Sequence, residues 1–272
     1  MSQGQDEHQR LIVEQFSRQA VPFAEMPIHS NEEADRLVLE TVGIGPEDTV
    51  LDIACGPGLI TCVIAQVARH VTGIDLTPAM IEQAEARQKS KGLANVAWQV
   101  GNVLPLPFPN ASFSVVFTRY SFHHFLDPKA VLAEMVRVCK PGGKVAVVDV
   151  FTTTPEQAAA YDQVEKLRDP SHTRALLLDE LTGLFRNAGL SDIKTEFYKL
   201  EVELEKLLAS SFPNPGDADK IRQMFSDDLG LNRIGVGAHR KDGANGANGA
   251  IWFAFPIAVL VGKNKATRDQ AC

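Results

Sequence analysis

The spacing of apolar positions changes repeatedly along this chain, and the changes mark out its elements. TVLDIA (49–54), HVTGID (70–75), NVAWQVG (95–101), FSVVFT (113–118) and KVAVVDV (144–150) are short, β-branched apolar runs, the pattern of strands covered on both faces. Helical spacing fills the gaps. Residues 59–69 put Ile60, Ile64 and Val67 on one side and Gln66 and Arg69 on another. Thr77 is placed to cap a helix opened by Pro78, a favoured first-turn position, and Glu85 and Lys89 form a surface pair four residues apart within it. DPKAVLAEMVRVCK is amphipathic, with Val131, Leu132, Met135, Val136 and Val138 as its apolar set, and PGG ends it.

Strands alternating with helices through short links imply an α/β fold: a doubly wound, mostly parallel sheet whose ligand lies beyond the carboxyl ends of the strands. Past residue 151 the pattern loosens. A helix is expected over 155–168, then a charged elbow, RDPSHTR (168–174). LDELTGLFRNAG (178–189) reads as a helix with Asp179 as N-cap and Gly189 just past its end. DIKTEFYKL (192–200) alternates as a strand, 203–230 is helical, and WFAFPIAVLVG (252–262) closes the chain as a strand in a hairpin with the sixth. GAHRKDGANGANG (237–249) reads as a mobile loop. The expected organisation is seven strands, one antiparallel. Residues 1–40 supply N-terminal lid helices, 41–202 with 251–272 form the core, and 203–250 are a cap insertion and loop.

Composition narrows the partners. The chain has 272 residues, 44% of them hydrophobic, and a net charge of −7 with no long basic run, which argues against nucleic acid. IWFAFPIAVLVG is too short to span a bilayer and contains Pro256, and the polar start MSQGQDEHQR lacks a secretory hydrophobic region, so the expected location is cytoplasmic. Cys55, Cys62, Cys139 and Cys272 form no CxxC pair and have no zinc-like spacing to histidine. No metal is expected.

The candidate chemistry begins at LDIACGPGLI (51–60). Two glycines follow a strand, but Gly56-Pro57-Gly58-Leu59-Ile60-Thr61 lacks the third glycine of a dinucleotide fingerprint, and no Walker motif is present. Asp75 ends the second strand, placed for ribose hydroxyls, which a nicotinamide dinucleotide and S-adenosyl-L-methionine (SAM) both carry. Asp52 separates the two: a carboxylate before the glycines is unwelcome beside a pyrophosphate and acceptable near the sulfonium and ammonium of SAM. Asp52 could equally satisfy the amides of the glycine loop.

Taken together, VLDIACGPG, VTGIDLTPAMIEQA, GNVLPLPFPNASFSVVFTRYSFHHFLDP and EMVRVCKPGGKVAVVD cover about residues 48–150. In order and spacing they resemble the class I SAM-dependent methyltransferases, with the ubiquinone/menaquinone-type (UbiE-like) small-molecule branch as the nearest subgroup. YDQVEKLRDPSHTRAL is also similar to a stretch in bacterial members of that branch. The resemblance implies a Rossmann-like core and a methyl donor seated by position. Gly56 and Gly58 would give backbone approach to the methionine and ribose part, and Asp75 would hold the ribose. Leu76 and Met80 would flank adenine, Asn102 and Val103 would touch its edge, and Thr118 would lie near the methionine part. Asn102 stands where members commonly carry Asp. FSRQAVPF (16–23) is similar to the family's lid helix.

On the acceptor side, His123, His124 and His172 are candidate general bases. Arg119, Arg168 and Arg174, with His172, are expected to line part of an acceptor pocket and favour an acidic group, or else to form an internal ion-pair network. The expected activity is methyl transfer from SAM to the O, N or C of a small molecule, by a monomer or homodimer. Two alternatives are a SAM-binding enzyme of non-methylating chemistry and a catalytically silent SAM-binding subunit that activates a partner.

Overall fold

The computed structural model describes residues 3–25, 31–241 and 249–265. Five parallel strands form the first half of the sheet: β1 (Thr49–Ile53), β2 (His70–Asp75), β3 (Val96–Val100), β4 (Phe113–Arg119) and β5 (Cys139–Thr152). Two long strands extend it. β9 (Ile251–Lys263) runs antiparallel to β5, and β7 (Ser191–Glu203) runs antiparallel to β9, giving the order β3-β2-β1-β4-β5-β9-β7. This is the Rossmann-like methyltransferase sheet expected above, with β9 as the reversed strand. Two-residue strands lie off this path: β6 (Leu176–Leu177) on β5 and β8 (His239–Arg240) on β9.

The period-two geometry of strands divides the core into two layers. Val50, Val115 and Ala146 pack on one face, and their neighbours Leu51, Val116, Val145 and Val147 on the other. The first face is covered by α2 (Glu32–Val42), α3 (Leu59–Ile64) and α6 (Pro155–Arg168). The second is covered by α5 (Pro128–Val138) and α7 (Leu178–Asn187), through Leu132, Met135, Leu181 and Phe185. A further helix, α4 (Pro78–Ser90), packs against β2 and β3.

Several details depart from the sequence expectations. The N-cap of α7 is Leu177; Asp179 lies inside the first turn, and Glu180 reaches back to accept the Leu177 N–H at 3.0 Å. Gly189 does adopt a left-handed conformation (φ +78°) after the helix. Thr77 occupies the N-cap of α4, but its hydroxyl makes no capping bond. Helix α3 ends at Ile64, short of the expected Arg69. Of the two N-terminal helices, α1 (Gln3–Glu25) lies over the strand ends, whereas α2 packs on the sheet against β5, β7 and β9. The insertion after β7 contains α8 (Leu204–Ser211), which meets α1, and α9 (Asp217–Asp228), which packs on α6. Cys55, Cys62 and Cys139 are buried free thiols. Cys272 and residues 242–248 of the Gly/Asn-rich loop lie outside the described residues. No helix among the described residues is long and apolar enough to cross a membrane.

Candidate active site

The β1–α3 turn is built on residues that leave the ordinary backbone regions: Ala54 (φ +51°), Gly56 (φ +53°) and Gly58 (φ +70°). The two glycines do different work. Gly56 lies on the wall of a cavity of about 170 Å³ at the carboxyl ends of β1, β2 and β4. A Cβ on Gly58 would sit 2.6 Å from Cη2 of Trp98, so this glycine lets the turn pack against β3 rather than lining the cavity. That corrects the shared role expected of the pair.

Asp75 ties the turn to the next strand end. Its Oδ2 accepts the Gly56 N–H at 2.8 Å and its Oδ1 accepts the Thr77 N–H at 2.8 Å. A carboxylate oxygen has two acceptor sites, so each keeps capacity for a ligand. Burial nonetheless pushes the Asp75 carboxyl above its ordinary pKa, against the pull of those amides. The amide-holding role considered for Asp52 thus belongs to Asp75. Asp52 is 1% exposed, and its Oδ2 accepts the Thr61 hydroxyl at 2.5 Å. Its Oδ1 has no partner among the described residues. Burial pushes its pKa up to about 7, with Thr61 and Arg119 opposing the rise. An unpartnered buried carboxylate oxygen on a cavity wall suits a cationic ligand group.

Leu76, Met80, Asn102 and Val103 lie on the same wall. The Asn102 Oδ1 accepts the Leu104 N–H at 3.0 Å, which leaves its amide nitrogen as the donor end. Thr118 is elsewhere: fully buried, it donates from Oγ1 to the Ile53 carbonyl at 2.9 Å and pairs with the Ser121 hydroxyl. It locks β4 to β1 instead of facing a ligand. Arg119 faces this cavity too, with Nη1 donating to Asp35 Oδ1 of α2 at 2.5 Å. The position expected for it in an acceptor pocket is therefore not the one observed. Helix α1 closes the cavity through His8, Ile12 and Phe16, and His8 Nε2 bonds the His124 carbonyl at 2.7 Å.

A second cavity of about 90 Å³ adjoins the first. It shares Phe16, Tyr120 and His124 with the first, so these three side chains form the partition. On its wall His123 is held twice by Asp149, from Nδ1 to Oδ1 (2.6 Å) and from its backbone N–H to Oδ2 (3.0 Å). Asp149 also accepts the Val150 N–H at 2.7 Å. Burial lowers the pKa of His123, but the Asp149 carboxylate outweighs it and the net shift is upward. His124 goes the other way: burial and the neighbouring His123 drive it to about 3, so it stays neutral. Its Nδ1 meets the Ser171 carbonyl at 3.1 Å.

The remaining candidates sort by where the elbow carries them. The elbow is docked on the histidine turn through the Thr173 N–H and hydroxyl, both donating to the His123 carbonyl (3.0 and 2.6 Å). Arg168 borders the second cavity, but its Nε and Nη2 grip Glu165. His172 is on neither cavity wall; its side chain is fully buried, with Nε2 bonded to Asp162 Oδ1 at 2.7 Å and Nδ1 unpartnered among the described residues. Arg174 is at the surface, 53% exposed, with Glu180 at 3.2 Å. The ion-pair network thus describes the elbow better than an arginine-lined pocket does. Among the described residues no cluster of three or more His, Cys, Asp and Glu could hold a metal.

Two residues outside the sequence-based set matter here. Asp149 was legible only as an acid ending the fifth strand; its partnership with His123 comes from the adjacency of β4 and β5. Tyr120, a non-glycine residue at φ +56° on the partition, left no sequence signal.

A Rossmann-like sheet with a glycine turn and two acids at its strand ends has the form of a nucleotide-cofactor site. Comparison with known proteins narrows this. A family described as a methyltransferase domain matches residues 51–147. The uncharacterized methyltransferase YcgJ of Bacillus subtilis is 29% identical over 206 residues, 75% of this chain and 81% of that protein. Its crystal structure superposes with a TM-score of 0.77 at 25% identity, covering 86% of this chain and 99% of that one. The uncharacterized protein YafE of Escherichia coli is 32% identical over 159 residues, 58% of this chain and 77% of that protein. Geranyl diphosphate C-methyltransferase of Streptomyces coelicolor, solved with Mg2+, geranyl diphosphate and S-adenosyl-L-homocysteine (SAH), shares the fold alone. Its TM-score is 0.57 at 16% identity, covering 85% of this chain and 78% of that one. Residues 51–147 are a methyltransferase domain, and the chain is a methyltransferase.

Proposed function

We propose that this enzyme binds SAM in the first cavity and methylates a small molecule held in the second, with His123 as general base. The observation that carries this reading is the shared partition. A wall suited to a cationic nucleotide and a wall carrying an oriented imidazole meet at Phe16, Tyr120 and His124. SAM, when bound, supplies a methyl group already activated by its sulfonium.

The chain's residues do the rest. Asp75 holds the ribose hydroxyls, and Leu76 and Met80 flank adenine, with Asn102 and Val103 at its edge. Gly56 admits the methionine part and Asp52 balances its positive charge. Asp149 fixes the His123 tautomer with its proton on Nδ1, so Nε2 can take a proton from the acceptor. His124, neutral and packed edge-on against Phe16, excludes water from the partition. The motifs over 48–150 favour a ubiquinone/menaquinone-like branch, and the net charge of −7 favours a small molecule over nucleic acid. Calorimetry with SAH tests the first half of the reading; absence of binding would overturn it. Release of SAH with an acceptor library, by wild type and by His123→Ala, tests the second.

A further inference from the structure

We propose that the acceptor is an uncharged, apolar molecule whose attacking atom is the oxygen of a weakly acidic hydroxyl, and that the second cavity discriminates against anionic acceptors. The proposal rests on the methyl-transfer reading and reverses the expectation of an acidic acceptor drawn from the arginines.

None of those arginines offers a spare charge to the second cavity. Arg174 is at the surface and Arg119 faces the other cavity, paired with Asp35. Arg168 does border the second cavity, but its Nε lies 3.1 and 3.0 Å from the two Glu165 oxygens and its Nη2 2.5 Å from Oε2. Its Nη1 donates to the Ser211 hydroxyl at 3.3 Å. With Arg168 and Glu165 cancelling and His123 in the neutral form that a base requires, the formal charges left on the wall are Asp149 and Asp169, both held below the usual carboxylate range despite burial. His124 contributes no positive charge.

While His123 is neutral, a carboxylate or phosphate acceptor would therefore be desolvated beside two anions with no cation to meet it. An amine would fare differently but no better: the same anions hold it protonated, with its lone pair occupied. A neutral hydroxyl escapes both problems. Its oxygen bonds to the methyl carbon as the carbon–sulfur bond breaks, and the electron pair of that bond stays on sulfur. The hydroxyl proton passes to His123 Nε2, and the imidazolium so formed sits against Asp149, 2.6 Å from its Nδ1. The rest of the wall suits a hydrocarbon or aromatic body: Tyr161, Leu200, Leu207, Phe255 and Ile257.

The test uses the full chain saturated with SAH, whose own binding is measured first by calorimetry. No SAH binding would mean that the methyl-transfer reading fails, and this proposal with it. With SAH bound, 2-naphthol and 6-hydroxy-2-naphthoate, which share the hydroxyl and differ by one carboxylate, are titrated by fluorescence at about pH 8.5, above the ordinary histidine range. The expected result is saturable binding of 2-naphthol about tenfold or more tighter than the hydroxynaphthoate. Equal or tighter binding of the hydroxynaphthoate, or no saturable binding of 2-naphthol, would overturn the proposal. Glu165→Gln frees the Arg168 charge and is expected to narrow the gap. A gap unchanged in that folded variant would count against the electrostatic argument.

Discussion

The two cavities are built by different means. The first is made from backbone: a turn with three residues at positive φ, and two amides gathered by one carboxylate. That turn and its carboxylate come from consecutive strands, β1 and β2, and lie close in sequence, although α1 and the segments after β3 and β4 complete the wall. The second is made largely from side chains brought from α1, the turn after β4, β5, α6, β7, α8 and β9, as far apart as Phe16 and Ile257. A site of backbone geometry keeps one ligand across many sequences. A site of paired side chains can be retuned one pair at a time, which suits the acceptor role proposed for the second cavity.

That division can be broken by experiment. The largest effect is expected at His123. His123→Ala should lower turnover by about 10²–10⁴-fold while leaving SAH affinity unchanged. Because the base must be neutral and its pKa is raised, the wild-type kcat/KM should rise with pH through a value above 6.5, and the variant should lose that limb. A parallel fall in SAH affinity would show that the cavities are not separate. Glu165→Ala strands a buried guanidinium and should cost about 3–5 kcal/mol in urea unfolding, far more than it changes SAH binding in the protein that remains folded.

Asp52 sharpens the contrast from the cofactor side. A carboxyl whose folded pKa is about 7 against an ordinary 3.8 destabilises the empty protein increasingly as pH rises between those values, and fully above 7. Asp52→Asn should therefore stabilise the ligand-free protein at pH 8 by a few kcal/mol (about 1.4 per pKa unit), leave it unchanged below pH 3 and weaken SAM binding. Thermal unfolding at the two pH values checks the sign. Asp75→Ala leaves the Gly56 and Thr77 amides unpaired and should weaken SAH about 100-fold by calorimetry. Arg174→Glu, at the surface, should change stability by about 1 kcal/mol or less and turnover not at all.

The same division explains what the sequence revealed. The sheet order follows from alternating patterns and from handedness, and the first cavity from local motifs, so Asp52, Gly56 and Asp75 were legible as a group. What was misread turned on orientation. Thr118 ends the right strand but points into it, and Gly58 is spent on Trp98. The elbow left a pocket and an ion-pair network both open: Glu165 lies one helical turn from Arg168, yet nothing in the spacing says whether that arginine also serves a ligand. His172 turned to Asp162, a pairing set by how the elbow folds back on α6.

Helix α1 ties the two cavities together. Phe16 borders both cavities, and Gln15 and Gln19 each donate to the Ser211 carbonyl at 2.9 Å, at the end of α8. One helix thus carries part of the wall of each cavity, so a substitution that displaces α1 is expected to be felt on both sides of the partition at once.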